Sequence, residues 1–192
     1  GVYWLWMPDY RDLIELDATR PVPPVFTGTA DTDMDCVASV MRHVHDHGYA
    51  PHIERLMVLG NLALTAGVDP QAMTDWMWAT FVDGAEWVML PNVIGMALFA
   101  DGGQMATKPY ASSANYVNKM SDYCKGCEYD RKARIGENAC PFNFFYWDFL
   151  DRHREKLSKQ GRMNFILKNL DRMSEDELNE IRQQAKDWHQ NN

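Results

Sequence analysis

Residues 33–67 read DMDCVASVMRHVHDHGYAPHIERLMVLGNLALTAG, and this stretch predicts two consecutive helices. The first helix is predicted over residues 34–47 and the second over residues 51–65, where proline opens the first turn. Gly48 and Gly67 follow the two helices, and glycine at that position typically ends a helix. The second helix is apolar on nearly every face, so we expect it to be buried.

The rest of the sequence continues this pattern in both directions. Further helices are predicted at residues 70–81, 93–100, 112–124, 142–157 and 175–189, the last opened by the capping sequence Ser-Glu-Asp-Glu. Irregular segments are predicted at residues 18–32, 83–91 and 107–140. No convincing strand and no internal repeat is present. The sequence therefore predicts an all-α fold, with residues 1–192 forming part of one helical domain.

The composition sets the class of protein. The chain has 192 residues, 46% of them hydrophobic and 24% charged, which is enough for one domain with a core. No run of eighteen apolar residues occurs, so we expect no membrane-spanning helix. The first residue is Gly1, and neither an initiator Met nor a signal peptide is recognisable. We therefore expect a section of a longer protein, and a cluster site at its cysteines would fit a reducing cytoplasm.

Charge is distributed unevenly along the chain. The net charge of −8 argues against a general nucleic-acid-binding surface. Residues 1–107 contain 4 Lys and Arg against 14 Asp and Glu, whereas residues 108–162 contain 11 against 7. The basic excess surrounds the cysteines, at Lys108, Lys119, Lys125, Arg131, Lys132, Arg134, Arg152 and Arg154. Such a cluster is either a solvated face or a surface that contacts phosphates.

Four cysteines are the strongest chemical signal. Cys124 and Cys127 form one C-x2-C pair, Cys140 follows and precedes a proline, and Cys36 lies far upstream. Four thiolates complete either an iron–sulfur cluster or a structural zinc site. A zinc ribbon uses two short C-x2-C pairs, so one pair with two separate ligands favours the cluster. Zinc, disulfides and free thiols remain as alternatives on spacing alone.

Other side chains allow a structural or a functional interpretation. His52, at a predicted helix start, is either a satisfied polar residue or a proton donor in a cleft. Acids and amides around proline and glycine indicate either turn formation or a polar pocket, at Asp83, Glu86, Asn92 and Asp101. Aromatic residues are 12% of the chain and belong mainly to the core, but some flank glycine-bearing turns and could stack on a flat cofactor, including Trp76, Tyr110 and Tyr116.

Five strings in the sequence resemble one family. They are RPVPPVFTGTADTDMDC (20–36), PHIERLMVLGN (51–61), TDWMWATFVDGAEWVMLPNVIGMALFADGG (74–103), TKPYASSANYVNKMSDYCKGC (107–127) and ACPFNFFYWDFLDRHRE (139–155). They look like the prokaryotic iron–sulfur photolyase and cryptochrome family, which includes the bacterial (6-4) photolyases. The resemblance covers nearly the whole chain and corresponds to the carboxy-terminal, helical catalytic domain of that family.

The resemblance implies cofactors and partners. Members bind FAD and one [4Fe-4S] cluster and carry an antenna chromophore in an amino-terminal domain, which would lie outside this chain. The implied substrate is UV-damaged DNA, and the amino-terminal portion of the same protein is an implied partner. The implied reaction is light-driven repair of the (6-4) pyrimidine–pyrimidone lesion, after the damaged nucleotides have left the base stack.

The resemblance also assigns roles to residues. The implied cluster ligands are Cys36, Cys124, Cys127 and Cys140. His52 matches the family's active-site histidine, and Tyr110 matches a tyrosine on the lesion side of the flavin. The implied residues around the flavin and along its electron route are Arg55, Asp83, Asn92, Trp76 and Tyr116.

Three positions depart from the family pattern. Pro51 replaces the first histidine of a His-His pair, Phe26 replaces a tryptophan before a Thr-Gly turn, and Met89 replaces a glutamate found in some relatives. These departures keep two alternatives open. One is a cryptochrome-type photoreceptor that uses the same flavin for signalling. The other is a non-catalytic iron–sulfur module that binds nucleic acid, comparable to the cluster domain of primase large subunits.

Overall fold

The computed structural model describes residues 2–191 and the side chains of residues 4–190. Within this part of the chain the regular elements are helices and helical turns, and no strand forms. Isolated bridges join Arg20 to Val68 and Asp130 to Ala139. The predicted all-α class is confirmed. None of the helices between residues 2 and 191 is long and apolar enough to cross a membrane.

The helices follow one another with short connections. The α-helices are α1 (Val2–Trp6), α2 (Pro24–Thr27), α3 (Asp35–His47), α4 (His52–Glu54), α5 (Asn61–Ala66), α6 (Pro70–Thr80), α7 (Glu86–Leu90), α8 (Ala114–Met120), α9 (Pro141–Arg152), α10 (Arg154–Ser158), α11 (Asn164–Leu170) and α12 (Glu175–Asn191). Two segments are π-helical, Arg55–Gly60 and Pro91–Ala97. Short 3-10 helices occupy Asp9–Asp12, Tyr123–Lys125 and Gly161–Met163.

Helix α3 forms where the sequence predicts it. Val37, Val40 and Val44 lie on one face at helical spacing, and all three are buried. Gly48 follows the helix with φ of 60°, and its N–H donates to the Val44 carbonyl at 2.7 Å. Because this left-handed conformation favours glycine, the chain turns here, and the π-helical segment Arg55–Gly60 that follows contacts α3.

The predicted helix over residues 51–65 is continuous, but its middle is not α-helical. It consists of α4, the π-helical segment Arg55–Gly60 and α5. A Cβ added at Gly60 would lie 3.1 Å from the Cβ of Ala97, in the second π-helical segment. The two π-helical segments therefore contact each other closely, which apolar periodicity alone does not reveal. Such bulges often occur at functional sites.

The structure corrects other predicted boundaries. The connection predicted at 83–91 contains α7, and the helix predicted at 142–157 breaks at His153 into α9 and α10. His153 leaves the helical conformation, with φ of −107° and ψ of 15°, and its ring packs on Phe149 with centroids 5.0 Å apart. Helices α2 and α11 were not predicted, because four and seven residues are too short for a clear apolar period.

Helix α9 is at the centre of the core. Phe142, Phe145, Phe149 and Leu150 are all buried, and α9 contacts α5 and α12. The rings of Phe145 and Trp188 pack edge to face, with centroids 5.1 Å apart. Aromatic pairs of this kind contribute about 0.5–1.5 kcal/mol beyond their buried area. This packing fixes α9, whose amino-terminal end follows Cys140.

A second, smaller core attaches the amino-terminal segment. Tyr10 donates to Asp101 Oδ2 at 2.9 Å, and both residues are buried. The same carboxylate accepts from the backbone N–H groups of Gly103 and Met105, so Asp101 organises a turn. Burial beside Asp101 raises the pKa of the Tyr10 hydroxyl. Gly95 lies directly against this hydrogen-bonded pair.

We expect Gly95→Ala to destabilise the fold. A Cβ at Gly95 would meet Tyr10 Oη, and it would lie 2.6 Å from Met105 Cβ and 2.7 Å from Asp101 Oδ2. Overpacking of this kind costs about 1–3 kcal/mol in free energy of unfolding, or more where backbone must move. Chemical denaturation measures the change. Gly161→Ala is the matched control, because no atom lies within 4 Å of its added Cβ, and an equal loss there would contradict the explanation.

Candidate functional site

One cavity brings together four of the predicted site residues. It has a volume of about 210 Å³, and we call it the His52 cavity. His52, Arg55, Asp83 and Asn92 line it, although they span 41 positions of sequence. Its other walls are mainly apolar and comprise Tyr49, Leu56, Met77, Val88, Met89, Val93 and Ala97. An apolar cavity with a few convergent polar groups is the usual form of a ligand site.

The two π-helical segments form the framework of this cavity. Arg55 and Leu56 come from the first segment, and Asn92, Val93 and Ala97 come from the second. The Asn92 side-chain amide donates to the Val88 carbonyl at 2.8 Å, which fixes its orientation. His52 is exposed at the start of α4, so its imidazole is accessible at the mouth of the cavity.

Arg55 and Asp83 form the main electrostatic pair of the cavity. The guanidinium donates two hydrogen bonds to the Asp83 carboxylate, both at 2.9 Å, and a third to the Ala50 carbonyl at 2.6 Å. It also lies over the Phe81 ring, 4.2 Å from the centroid. Bidentate pairing fixes both side chains more firmly than a single contact would. The carboxylate is therefore held at the cavity edge in one orientation.

We expect Asp83→Ala to lower the free energy of unfolding by about 2 kcal/mol, because it leaves a largely buried guanidinium without its partner. The Arg55 side chain is only 15% exposed. Asp75→Ala is the matched control, since Asp75 pairs with Arg11 at 2.6 Å but both side chains are more exposed, and surface pairs contribute about 0–1 kcal/mol. Thermal or chemical denaturation of both variants measures the difference. Equal losses would mean that burial of Arg55 does not matter.

Trp76 lies outside the His52 cavity but is connected to it by aromatic rings. Its ring stacks on Phe26 at 5.1 Å and meets Phe81 edge to face at 6.1 Å. Its indole N–H donates to the Phe26 carbonyl at 3.0 Å. Because Phe81 also supports Arg55, one phenylalanine ring separates Trp76 from the cavity residues. Trp76 and Phe26 line a separate, larger cleft of about 630 Å³ on the other side of α6.

The structure does not place Tyr110 or Tyr116 in the His52 cavity. Tyr110 is 38% exposed, in the segment before α8. Tyr116 lines another cavity, of about 200 Å³, together with Glu54 and Tyr123; we call it the tyrosine cavity. The predicted pair Trp76 and Tyr116 therefore lines two different cavities. Asn61, which the sequence analysis did not single out, fixes the segment near Tyr110 by two hydrogen bonds with the Ser112 backbone at 2.9 Å.

The four cysteines line one small cavity, which we call the cysteine cavity. None of them forms a disulfide. Cys36 and Cys140 are buried, and Cys124 and Cys127 are half-buried. Cys36 lies at the start of α3, and Cys140 immediately precedes α9. The fold therefore places Cys36 in the same cavity as Cys124, although 87 residues separate them in the sequence.

Electrostatics distinguish these thiols from ordinary surface cysteines. Burial, followed by repulsion from the other thiolates, raises the pKa of Cys36 far above its usual range. Burial raises the pKa of Cys140 to about 12, and burial with the nearby Cys127 raises that of Cys124. Cys36, Cys124 and Cys140 therefore resist ionisation, and a bound cation would stabilise their thiolates. Among residues 2–191, however, no three His, Cys, Asp or Glu side chains are arranged so that they could hold a metal ion.

Asn143 organises the loop that carries the cysteines. Its carbonyl oxygen accepts from the Ala114 N–H at 3.0 Å, and its amide donates to the carbonyls of Arg131 and Ala133. One buried side chain therefore joins α8, α9 and the loop between Cys127 and Cys140. The sequence analysis did not identify it. The available signal was an asparagine within the otherwise apolar first half of α9, because a buried side-chain amide needs hydrogen-bond partners.

The basic residues predicted around the cysteines do not all face solvent freely. Arg134 pairs with Glu177, Arg152 pairs with Asp148, and Arg154 pairs with Asp171. These three guanidinium groups are largely engaged within the fold. The lysines of the set are exposed, and so remain available to a partner, at Lys108, Lys119, Lys125 and Lys132.

Comparison with known proteins shows what the chain is similar to. The chain is 51% identical over 185 residues, 96% of its length, to a (6-4) photolyase of Agrobacterium fabrum. The chain is therefore photolyase-like over nearly its whole length. It spans 36% of the length of that photolyase. It is also 33% identical over 107 residues, 56% of the chain and 80% of the relative, to an uncharacterized protein of Acanthamoeba polyphaga mimivirus. No family model matches the chain.

Proposed function

We propose that this photolyase-type chain is part of a light-driven DNA-repair lyase that acts on (6-4) photoproducts. The observation that carries the proposal is the His52 cavity, which joins a histidine, a fixed Arg–Asp pair and an oriented amide. The similarity to a (6-4) photolyase over 96% of the chain supports the same reaction. The lesion-side role of Tyr110 and the route through Tyr116 remain predictions.

The residues of the His52 cavity fit part of a flavin. The cavity volume of about 210 Å³ is below the roughly 300–1,000 Å³ of sites that enclose a whole drug-sized ligand. We therefore assign to it the ring system of FAD, with the rest of the dinucleotide held elsewhere in the protein. Apolar walls at Leu56, Val88 and Met89 suit a flat ring, and Asn92 and the Arg55–Asp83 pair suit its polar edge. When bound, the reduced flavin supplies the electron after absorbing blue light.

His52 is assigned the proton transfer. Its imidazole stands at the exposed start of α4, beside the cavity, where an extruded base can reach it. An imidazolium there donates a ring N–H proton to the hydroxyl that leaves one pyrimidine and returns to the other. Arg55 and Asp83 are assigned positioning roles, because their mutual pairing uses their polar atoms. Trp76 is assigned the aromatic route by which an electron reaches the cavity, and Phe81 only bridges the gap between the Trp76 ring and Arg55.

The cysteine cavity is assigned a [4Fe-4S] cluster. Its support is the set of four unpaired thiols on one cavity and the electrostatic stabilisation that a cation would bring. Cys36, Cys124, Cys127 and Cys140 would each supply one thiolate. The cluster would hold α3, the 3-10 turn at Tyr123–Lys125 and the start of α9 together. The exposed lysines near it would contact the phosphates that flank the lesion.

A repair assay with the full-length, flavin-loaded protein tests the proposal. The substrate is an oligonucleotide with one (6-4) lesion, illuminated with blue light or kept in the dark. We expect repair only under illumination, and none of an oligonucleotide with a cyclobutane dimer. Bound, photoreducible flavin without repair would favour the photoreceptor, and absence of bound flavin would favour the non-catalytic module.

A further inference from the structure

The turn that begins with His52 lines two cavities on opposite sides. His52, Arg55 and Leu56 line the His52 cavity, whereas Ile53, Glu54, Met57 and Val58 line the tyrosine cavity. This alternation follows the helical period, so neighbouring residues face different sides. A shift of the Glu54 side chain therefore affects the same backbone turn that carries His52 and Arg55.

Glu54 contacts both elements that carry the separated cysteines. Its Oε1 accepts a hydrogen bond from Tyr123 Oη at 2.8 Å, and Tyr123 directly precedes Cys124. Its Oε2 lies 3.8 Å from His43 Nδ1, on α3, the helix that begins beside Cys36. Tyr123 itself also lines the cysteine cavity. The carboxylate therefore joins the first turn of the His52 helix to both sides of the cysteine site.

The burial of Glu54 makes this link energetically significant. Its side chain is 18% exposed, and its Oε2 is buried without a hydrogen-bond donor among the described residues. A buried carboxylate is costly unless its partners hold it in place. Tyr123 therefore holds one carboxylate oxygen by a hydrogen bond, and His43 lies beside the other at 3.8 Å without one.

We infer that Glu54 is a positioning residue that couples the cysteine site to the His52 cavity. When the four cysteine thiolates bind the proposed cluster, the turn at Tyr123 and the helix α3 become fixed relative to each other. Glu54, held between them, then fixes the turn that presents His52 and Arg55. Loss of the centre releases Tyr123, and the His52 turn becomes mobile. The inference rests on the proposed cysteine centre, but not on DNA repair.

Hydrogen–deuterium exchange on the full-length protein tests this coupling. We expect backbone amides of residues 52–58 to exchange about tenfold faster in Glu54→Ala and in Tyr123→Phe, at unchanged iron content, since coupling between sites is commonly 5–150-fold. Glu54→Gln retains an oxygen acceptor for Tyr123 and should restore slow exchange. Glu180→Ala, on the exposed side of α12, is the control and should leave residues 52–58 unchanged.

A double-mutant comparison separates coupling from general loosening. Cys124→Ser alone should accelerate the same amides, and adding Glu54→Ala should produce no further change, because both act through one link. Additive effects, or unchanged exchange in Tyr123→Phe, would overturn the inference. Exchange is measured in the dark and without DNA, so its result does not depend on repair activity. A protein without repair activity can still show the coupling, and a protein with repair activity can lack the coupling.

Discussion

His52→Ala should reduce the rate of (6-4) repair by about 10²–10⁴-fold while flavin and DNA binding change little. A proton donor acts in the transition state, so its removal lowers the rate of the chemical step and leaves ground-state binding nearly intact. Pro51 precedes His52, so the adjacent position offers no second imidazole to replace it. The measurement is repair quantum yield per bound flavin, made on the same preparation as flavin occupancy and melting temperature.

The control for this variant is His47→Ala, at the exposed end of α3. It removes an imidazole of similar exposure that does not line the His52 cavity. We expect its repair rate to equal that of the unmodified protein. If His52 were only a polar residue at a helix start, its loss would instead lower thermal stability and flavin retention. Unchanged repair per bound flavin in His52→Ala would remove the residue from the mechanism.

Cys36→Ser should abolish iron binding and lower the free energy of unfolding by more than about 4 kcal/mol, because loss of a structural metal is among the most destabilising changes. Cys36 is the ligand most distant in sequence, and it alone connects α3 to the loop between residues 124 and 140 through the centre. Metal analysis and anaerobic visible spectra of the purified full-length protein measure binding. Zinc in place of iron in the unmodified protein would contradict the cluster assignment.

Val37→Ala is the matched control for the cysteine variant. Val37 is adjacent to Cys36 and fully buried, so its truncation costs on the order of 2 kcal/mol through lost packing. It removes no thiol, and we expect full iron content. If both variants lost iron equally, destabilisation of α3 rather than loss of a ligand would explain the result. If Cys36→Ser retained four irons per chain, Cys36 would not be a ligand.

Local sequence signals were sufficient for much of the fold. The glycines after α3 and α5 and the Ser174 cap of α12 act as predicted, and Glu177 N–H donates to Ser174 at 3.2 Å. Asp69 caps α6 in the same way, since Ala72 N–H donates to its carboxylate at 2.7 Å. Caps and stops depend on contacts within about four residues, so sequence encodes them directly. The resemblance to a family likewise depended only on strings of residues.

The arrangement of the site was predictable in part. The resemblance assigned His52 and Tyr110 to catalysis and five residues to the flavin and its electron route, and of these seven the His52 cavity contains His52, Arg55, Asp83 and Asn92. It also placed Tyr110 at the flavin face and paired Trp76 with Tyr116, yet these three side chains do not line that cavity. Tyr110 lies in the irregular segment before α8, whereas Trp76 and Tyr116 lie on helices whose inward faces are decided by packing between helices distant in sequence.

The sequence by itself determined the all-α class, the ends of α3, α6 and α12 and the four thiols, because composition, periodicity and capping are local properties. Only the tertiary structure showed that Arg55–Gly60 and Pro91–Ala97 are π-helical and that Gly60 and Ala97 bring the two segments into close contact. Only it placed Asn143 at the junction of the cysteine loop and Glu54 between Tyr123 and His43. A buried polar side chain takes its role from partners that the fold brings to it, and those partners lie far away in sequence.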